Sequence, residues 1–148
     1  MTCTLGDAVT LELNGAKQDI FDGSFAMQAA LTEGQNLLEL RAVDAAGNVG
    51  VLVVETLLDL SPPEILDAGM ARPQGVDGPV EIVVTAQDVS GLRQAAPYLV
   101  EVGDAEFEGY LRCDSARGIC LARLPATPGE MRLIEVVVQD YAGNEVIR

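Results

Sequence analysis

The sequence predicts an all-β chain folded as two tandem sandwich domains. Three observations predict this. Turn signals recur at intervals of roughly 8 to 13 residues. The runs between them alternate apolar and polar residues, the period-two signature of a strand. One strand-and-turn segment occurs twice, 96 positions apart, which is about the length of one sandwich domain.

The elements follow in order. Val9–Leu13 runs into Asn14-Gly15, a hairpin signal. Asp22-Gly23 and Glu33-Gly34 bracket Phe25–Thr32, the best helical candidate of the chain, though a short one. In Leu37–Val43, Leu38, Leu40 and Ala42 share one strand face, with Leu37 opposite. Val49–Leu58 is the longest apolar stretch. It is interrupted by Gly50 and Glu55 and falls short of the roughly 18 apolar residues of a membrane span. Asp59-Leu60-Ser61-Pro62-Pro63 then reads as a stiff linker, because proline fixes φ and donates no ladder hydrogen bond. This divides the chain into domains at 1–60 and 61–148.

The second domain repeats the pattern. Asp77-Gly78 precedes Val80–Ala86, where Val80, Ile82, Val84 and Ala86 share a face. After Gly103-Asp104, Glu106 and Glu108 flank an inward Phe107. Arg117-Gly118 centres a hairpin between Cys113 and Cys120. In Leu133–Val138, Ile134, Val136 and Val138 share a face, and Gly143-Asn144 closes the segment. Leu38–Asn48 and Ile134–Asn144 are the two copies, each ending Asp-x-Ala-Gly-Asn, and Ile82–Gly91 is a weaker third.

Composition narrows the function. The 148 residues carry 23 acidic and 9 basic side chains, a formal charge of −14. Such a chain lacks the cations that neutralise phosphate, which argues against a nucleic-acid partner, and no segment suits membrane insertion. With no His, the Ser-His-Asp, Cys-His and His-metal constellations are excluded. No nucleophile–base pair or cofactor loop stands out, so the chain reads as non-enzymatic. No signal-peptide pattern opens it, and it reads as a piece of a longer secreted protein.

Val9–Gly15, Asp22–Phe25, Leu31–Asn36, Ala42–Asn48 and Asp59–Pro63, in that order and spacing, resemble the bacterial immunoglobulin-like modules found in tandem in large secreted and surface proteins. They are most similar to the type named after domain B of glucodextranase. Pro62–Ile65, Ala86–Leu92 and Asp140–Asn144 extend a looser likeness into the second domain. The resemblance implies two immunoglobulin-like sandwiches, the first lacking its N-terminal strand or strands, because only eight residues precede Val9. It implies a non-catalytic spacer or interaction module at the cell surface or outside the cell, whose partners are neighbouring domains of a parent protein or a protein or glycan ligand. The alternatives are a carbohydrate-binding accessory domain of a polysaccharide-degrading enzyme and a Ca²⁺-dependent adhesion module.

Candidate sites carry two readings each. The Asp-x-Ala-Gly-Asn turns read first as mechanical, with an Asp side chain accepting turn N–H groups. The second reading is a Ca²⁺ site, built from Asp44, Asp59 and Glu64 or from Asp88 and Asp140. No other cofactor is implied. Cys113 and Cys120 read as a disulfide, hence an oxidising compartment, and Cys3 is left over as a buried thiol or a partner for an upstream cysteine. Glu106 and Glu108 read as a solvated face. Tyr98, Tyr110 and Tyr141 form at most a thin sugar-stacking platform, since Trp is absent and the other aromatics are Phe21, Phe25 and Phe107.

Overall fold

The computed structural model describes residues 2–4, 8–20 and 24–148. Among them there is no helix, and the fold is all-β and of sandwich type. No helix is therefore long and apolar enough to cross a membrane. The chain divides into two compact units, Met1–Leu58 and Asp59–Arg148. The division falls two residues before the expected one because Asp59 is already buried and hydrogen-bonded within the second unit.

In the first unit, β1 (Thr2–Thr4) pairs with β4 (Ser24–Ala26). A four-stranded sheet contains β2 (Ala8–Leu13), β3 (Ala16–Gln18), β5 (Gly34–Asp44) and β6 (Val49–Leu58), in the order β3-β2-β5-β6. Asn14 and Gly15 both take positive φ, 49° and 80°, as a two-residue hairpin requires. The helical candidate Phe25–Thr32 is not a helix. Phe25 is buried within β4, and Asn36 pins the following irregular segment by accepting from Thr32 N at 2.9 Å and donating to Thr32 O at 2.7 Å. The described residues thus give this unit six strands in two sheets, with β1 ahead of the Val9 segment. The Asp22-Gly23 turn signal and Phe21 lie outside the described residues.

The apolar packing of this unit is thin. Among the described residues only Leu11, Leu13 and Phe25 are buried apolar side chains. Leu38 and Leu40 share a face as expected, but with Leu13, Met27 and Val54 they line an open hollow of about 310 Å³. On β6, Val49, Val51, Leu52 and Val53 are all at least half exposed, and β6 is an edge strand.

The second unit is a seven-stranded ladder. Its strands are β7 (Glu64–Ala71), β8 (Val80–Gln87), β9 (Ala95–Val102), β10 (Ala105–Asp114), β11 (Ile119–Leu124), β12 (Met131–Gln139) and β13 (Glu145–Ile147). The order is β13-β12-β9-β10-β11-β8-β7, and every pairing is antiparallel. The two outermost strands, β7 and β13, therefore run in the same sense. The strand β10 belongs to both layers: Ala105–Arg112 pairs with β9, and Arg112–Asp114 with β11. Near the far ends of the ladder, β12 and β7 approach each other, so the ladder folds over as two packed layers.

Between the layers lies one core. The strand β8 supplies Val80, Ile82, Val84 and Ala86, the alternation read from sequence. They face Val100 and Val102 from β9, Leu111 from β10, and Val136 and Val138 from β12. One expected core residue is displaced. A bulge between Leu133 and Glu135 inserts an extra residue, so Met131 and Leu133 pack on the core and Ile134 does not. Gly103 and Gly129 pack so closely that a Cβ on Gly129 would sit 2.4 Å from the Gly103 Cα, which excludes any side chain there.

Cys113 and Cys120 form a disulfide directly across β10 and β11. The turn between them is closed by Arg117 N donating to Asp114 O at 3.2 Å. The side chain of Cys3 lies outside the described residues.

Ile82→Ala should destabilise the second unit by about 2 to 5 kcal/mol in urea unfolding, as for other buried aliphatic truncations. Leu37→Ser, at a side chain 64% exposed, should stay within about 0.5 kcal/mol. Replacing both Cys113 and Cys120 by Ala should cost roughly 2.5 kcal/mol, the chain-entropy value for so short a loop, read in the same unfolding experiment.

Candidate functional site

The chemistry of the second unit concentrates where three Asp-led turns meet. Asp140 directly follows β12 and is fully buried. Its Oδ1 accepts from Gly143 N at 2.6 Å and Asn144 N at 2.8 Å, and its Oδ2 accepts from Asn144 Nδ2 at 2.8 Å. Its backbone N donates to Asn144 O at 3.0 Å, and its carbonyl accepts from Arg93 Nε at 3.1 Å. A buried carboxylate is tolerated when donors surround it, and here the turn supplies them.

Asp44, 96 positions earlier, closes the copy of this turn in the first unit. Asn48 Nδ2 donates to Asp44 Oδ2 at 2.7 Å, and Asn48 N to Oδ1 at 2.8 Å. The two Asp-x-Ala-Gly-Asn segments thus fold alike: in each, Asn at i+4 returns both its side-chain amide and its backbone N–H to the Asp. The Asn48 bonds hold the Asp44 carboxyl below its ordinary value of 3.8, side-chain amide first.

Asp88 and Asp59 form a smaller version of the same device. Ser90 N and Ser90 Oγ donate to Asp88 Oδ1 at 2.7 and 2.8 Å. Ser61 N donates to Asp59 Oδ1 at 3.1 Å. Asp59 is 8% exposed, and its Oδ2 is buried with no hydrogen-bond partner.

These three turns converge. One carboxylate oxygen from each of Asp59, Asp88 and Asp140 lies within 4.8 Å of the other two. Asn144 ties the group together, since its Nδ2 also donates to the Asp59 carbonyl at 3.2 Å. Among the described residues no Lys or Arg makes an ion pair with any of the three.

The candidates named from sequence therefore sort differently from the expected sets. Asp59 joins Asp88 and Asp140. Asp44 belongs to the first unit and is engaged in its own turn. Glu64 is exposed and accepts from Gln87 Nε2 at 2.8 Å. Sequence reasoning missed Asn144 and Ser90 as partners of the group. A signal for the grouping was present in the shared Asp-x-Ser spacing of Asp59–Ser61 and Asp88–Ser90, each of which closes an Asx turn.

The other candidates disperse. Tyr98 and Tyr110 line an open depression of about 560 Å³ together with Glu108 and Glu135. The Tyr98 ring lies over Gly109, its direct cross-strand neighbour, where a Cβ would meet the Tyr98 hydroxyl at 2.9 Å. Tyr141 is elsewhere, against Gly91. Glu106 and Glu108 are exposed, and Phe107 between them packs on the core.

Asn144→Ala should cost about 1 to 3 kcal/mol, because it leaves the buried Asp140 Oδ2 without its donor. For Asp44, the folded carboxyl ionises more readily than the unfolded one, so its contribution to stability is fully present above about pH 3.8. That contribution is lost as pH falls through the lower folded value. Asp44→Asn should therefore lower the unfolding midpoint at pH 7 and converge with the parent chain in strong acid, read by circular dichroism across pH. Neither a known family model nor a curated protein matches the chain.

Proposed function

We propose that the chain is a non-catalytic spacer of a larger secreted or cell-surface bacterial protein, made of two immunoglobulin-like modules. The observation that carries this reading is the anchoring of the connector. The segment between β6 and β7 begins at Asp59, whose side chain is buried in the second unit and whose carbonyl is held by Asn144. Pro62 and Pro63 then restrict the remainder. A short connector, fixed at its first residue and stiffened by two prolines, is the local feature that supports a spacer. The Cys113–Cys120 disulfide supports an oxidising compartment, and the charge of −14 supports solubility at a crowded surface. The exposed valines of β6 support a role in interaction as well as spacing.

A second reading rests on the Tyr98–Tyr110 depression. Tyr110 is 72% exposed, and Glu108 and Glu135 supply acceptors beside it, an arrangement suited to stacking and hydrogen-bonding a sugar ring. This favours a carbohydrate-binding accessory domain of a polysaccharide-degrading enzyme.

Limited proteolysis of the full chain tests the spacer. Asp59–Pro63 should resist cleavage as well as the strands of the second unit do. Cleavage within Asp59–Pro63 before either unit is digested would defeat the reading. Affinity electrophoresis through soluble polysaccharides tests the alternative. Retardation that is abolished by Tyr110→Ala would favour glycan binding.

A further inference from the structure

We infer that Asp59, Asp88 and Asp140 form a binding site for one divalent cation, with Ca²⁺ preferred. The inference goes beyond the spacer reading and stands on two independent observations. The first is convergence: three carboxylate oxygens from three separate turns lie within 4.8 Å of one another. Two oxygens bound to a single Ca²⁺ sit at most roughly 5 Å apart, twice the Ca–O bond length, so the separations are of the size that one shared ion requires after a small contraction. The second is the Asp59 carboxylate itself. It is more than nine-tenths buried, and its Oδ2 has no hydrogen-bond partner. Buried polar atoms in folded proteins are almost always paired, and an unpaired carboxylate oxygen beside two further carboxylates lacks a cation more than anything else.

The surroundings fit that occupant. No ammonium or guanidinium forms an ion pair with the three carboxylates among the described residues; the Arg93 guanidinium engages the Asp140 carbonyl and not its carboxylate. The turns hold each carboxylate by its own donors, and Asn144 Nδ2 also donates to Asp140 Oδ2. Ser61 N occupies Asp59 Oδ1, Ser90 occupies Asp88 Oδ1, and Gly143 and Asn144 occupy Asp140 Oδ1. Each group is thus oriented before any ion arrives. The donor set is all oxygen, which suits a hard cation. Water would complete the shell, and Ca²⁺ accepts an irregular shell more readily than Mg²⁺ does.

The experiment is isothermal titration of the full chain with CaCl₂ in 150 mM KCl after chelator treatment, with thermal unfolding in parallel. One saturable Ca²⁺ per chain is expected, together with a rise in the melting temperature of the second unit. MgCl₂ should bind at least tenfold more weakly. Asp59→Asn and Asp88→Asn should each weaken Ca²⁺ at least tenfold, and Asp44→Asn, in the matching turn of the other unit, should leave it unchanged. Asp88 is only partly buried, so its variant reports even if Asp59→Asn unfolds the unit. Non-saturable binding that Asp44→Asn reduces as much as Asp88→Asn would mean a diffuse ion atmosphere and would overturn the site. Asp59→Asn raising stability with no response to Ca²⁺ in the parent chain would mean that the carboxyls share a proton, and would overturn it equally.

Discussion

The second unit depends on a buried negative charge and the donors its own chain folds around it. Asp140 sits at the end of a core strand, fully enclosed, and a carboxylate there is tolerated only because Gly143 and Asn144 curl back to meet it. Once that turn is set, other features follow. The backbone of Asp140 bridges to Leu92, and Tyr141 N reaches Gly91 O at 3.1 Å, which closes one end of the two layers. Asn144 is left with a free amide hydrogen directed at the Asp59 carbonyl, and this fastens the start of the unit to its end. A local hydrogen-bonding rule at one turn thereby fixes contacts 85 residues apart in sequence.

The two units show what the same turn achieves with and without a core beneath it. Asp44 and Asn48 reproduce the bonds of Asp140 and Asn144, yet Asp44 is only partly buried. The difference lies in packing. Val136 and Val138 lead into Asp140 from the middle of a closed core, whereas Leu38 and Leu40 lead toward Asp44 along an open hollow. Hydrogen bonds supply the geometry of the turn, and the hydrophobic surround decides how costly that geometry is to lose.

Much of this was legible in the sequence. Val80 to Ala86 announced its inward face without ambiguity, because one side of the strand is buried and period two leaves no choice of register. The disulfide followed from a hairpin that places Cys113 opposite Cys120. Ile134 was misplaced because a bulge changes facing without altering composition, and its cause lies in pairing with β9. Phe25–Thr32 reads as a short helix in sequence, yet only Phe25 and Ala26 are strand, in β4, and the rest is irregular and held at Thr32 by Asn36. The acidic residues were each visible, but their grouping was not. Asp59 precedes Asp140 by most of a domain, and only the folded ladder brings them together.

The direction of the outer strands has a mechanical meaning. The chain enters the second unit at the start of β7 and reaches the end of β13, and these strands run in the same sense. A pull on the two ends of the unit therefore acts along the strand axes. The ladder bonds of β7 with β8 and of β13 with β12 would then be sheared together, and not peeled apart one after another. Rupture under shear requires many bonds to fail at once, so the topology favours resistance to stretching quite apart from equilibrium stability. The Asn144–Asp59 tie lies on that load path, at the point where tension would enter the unit.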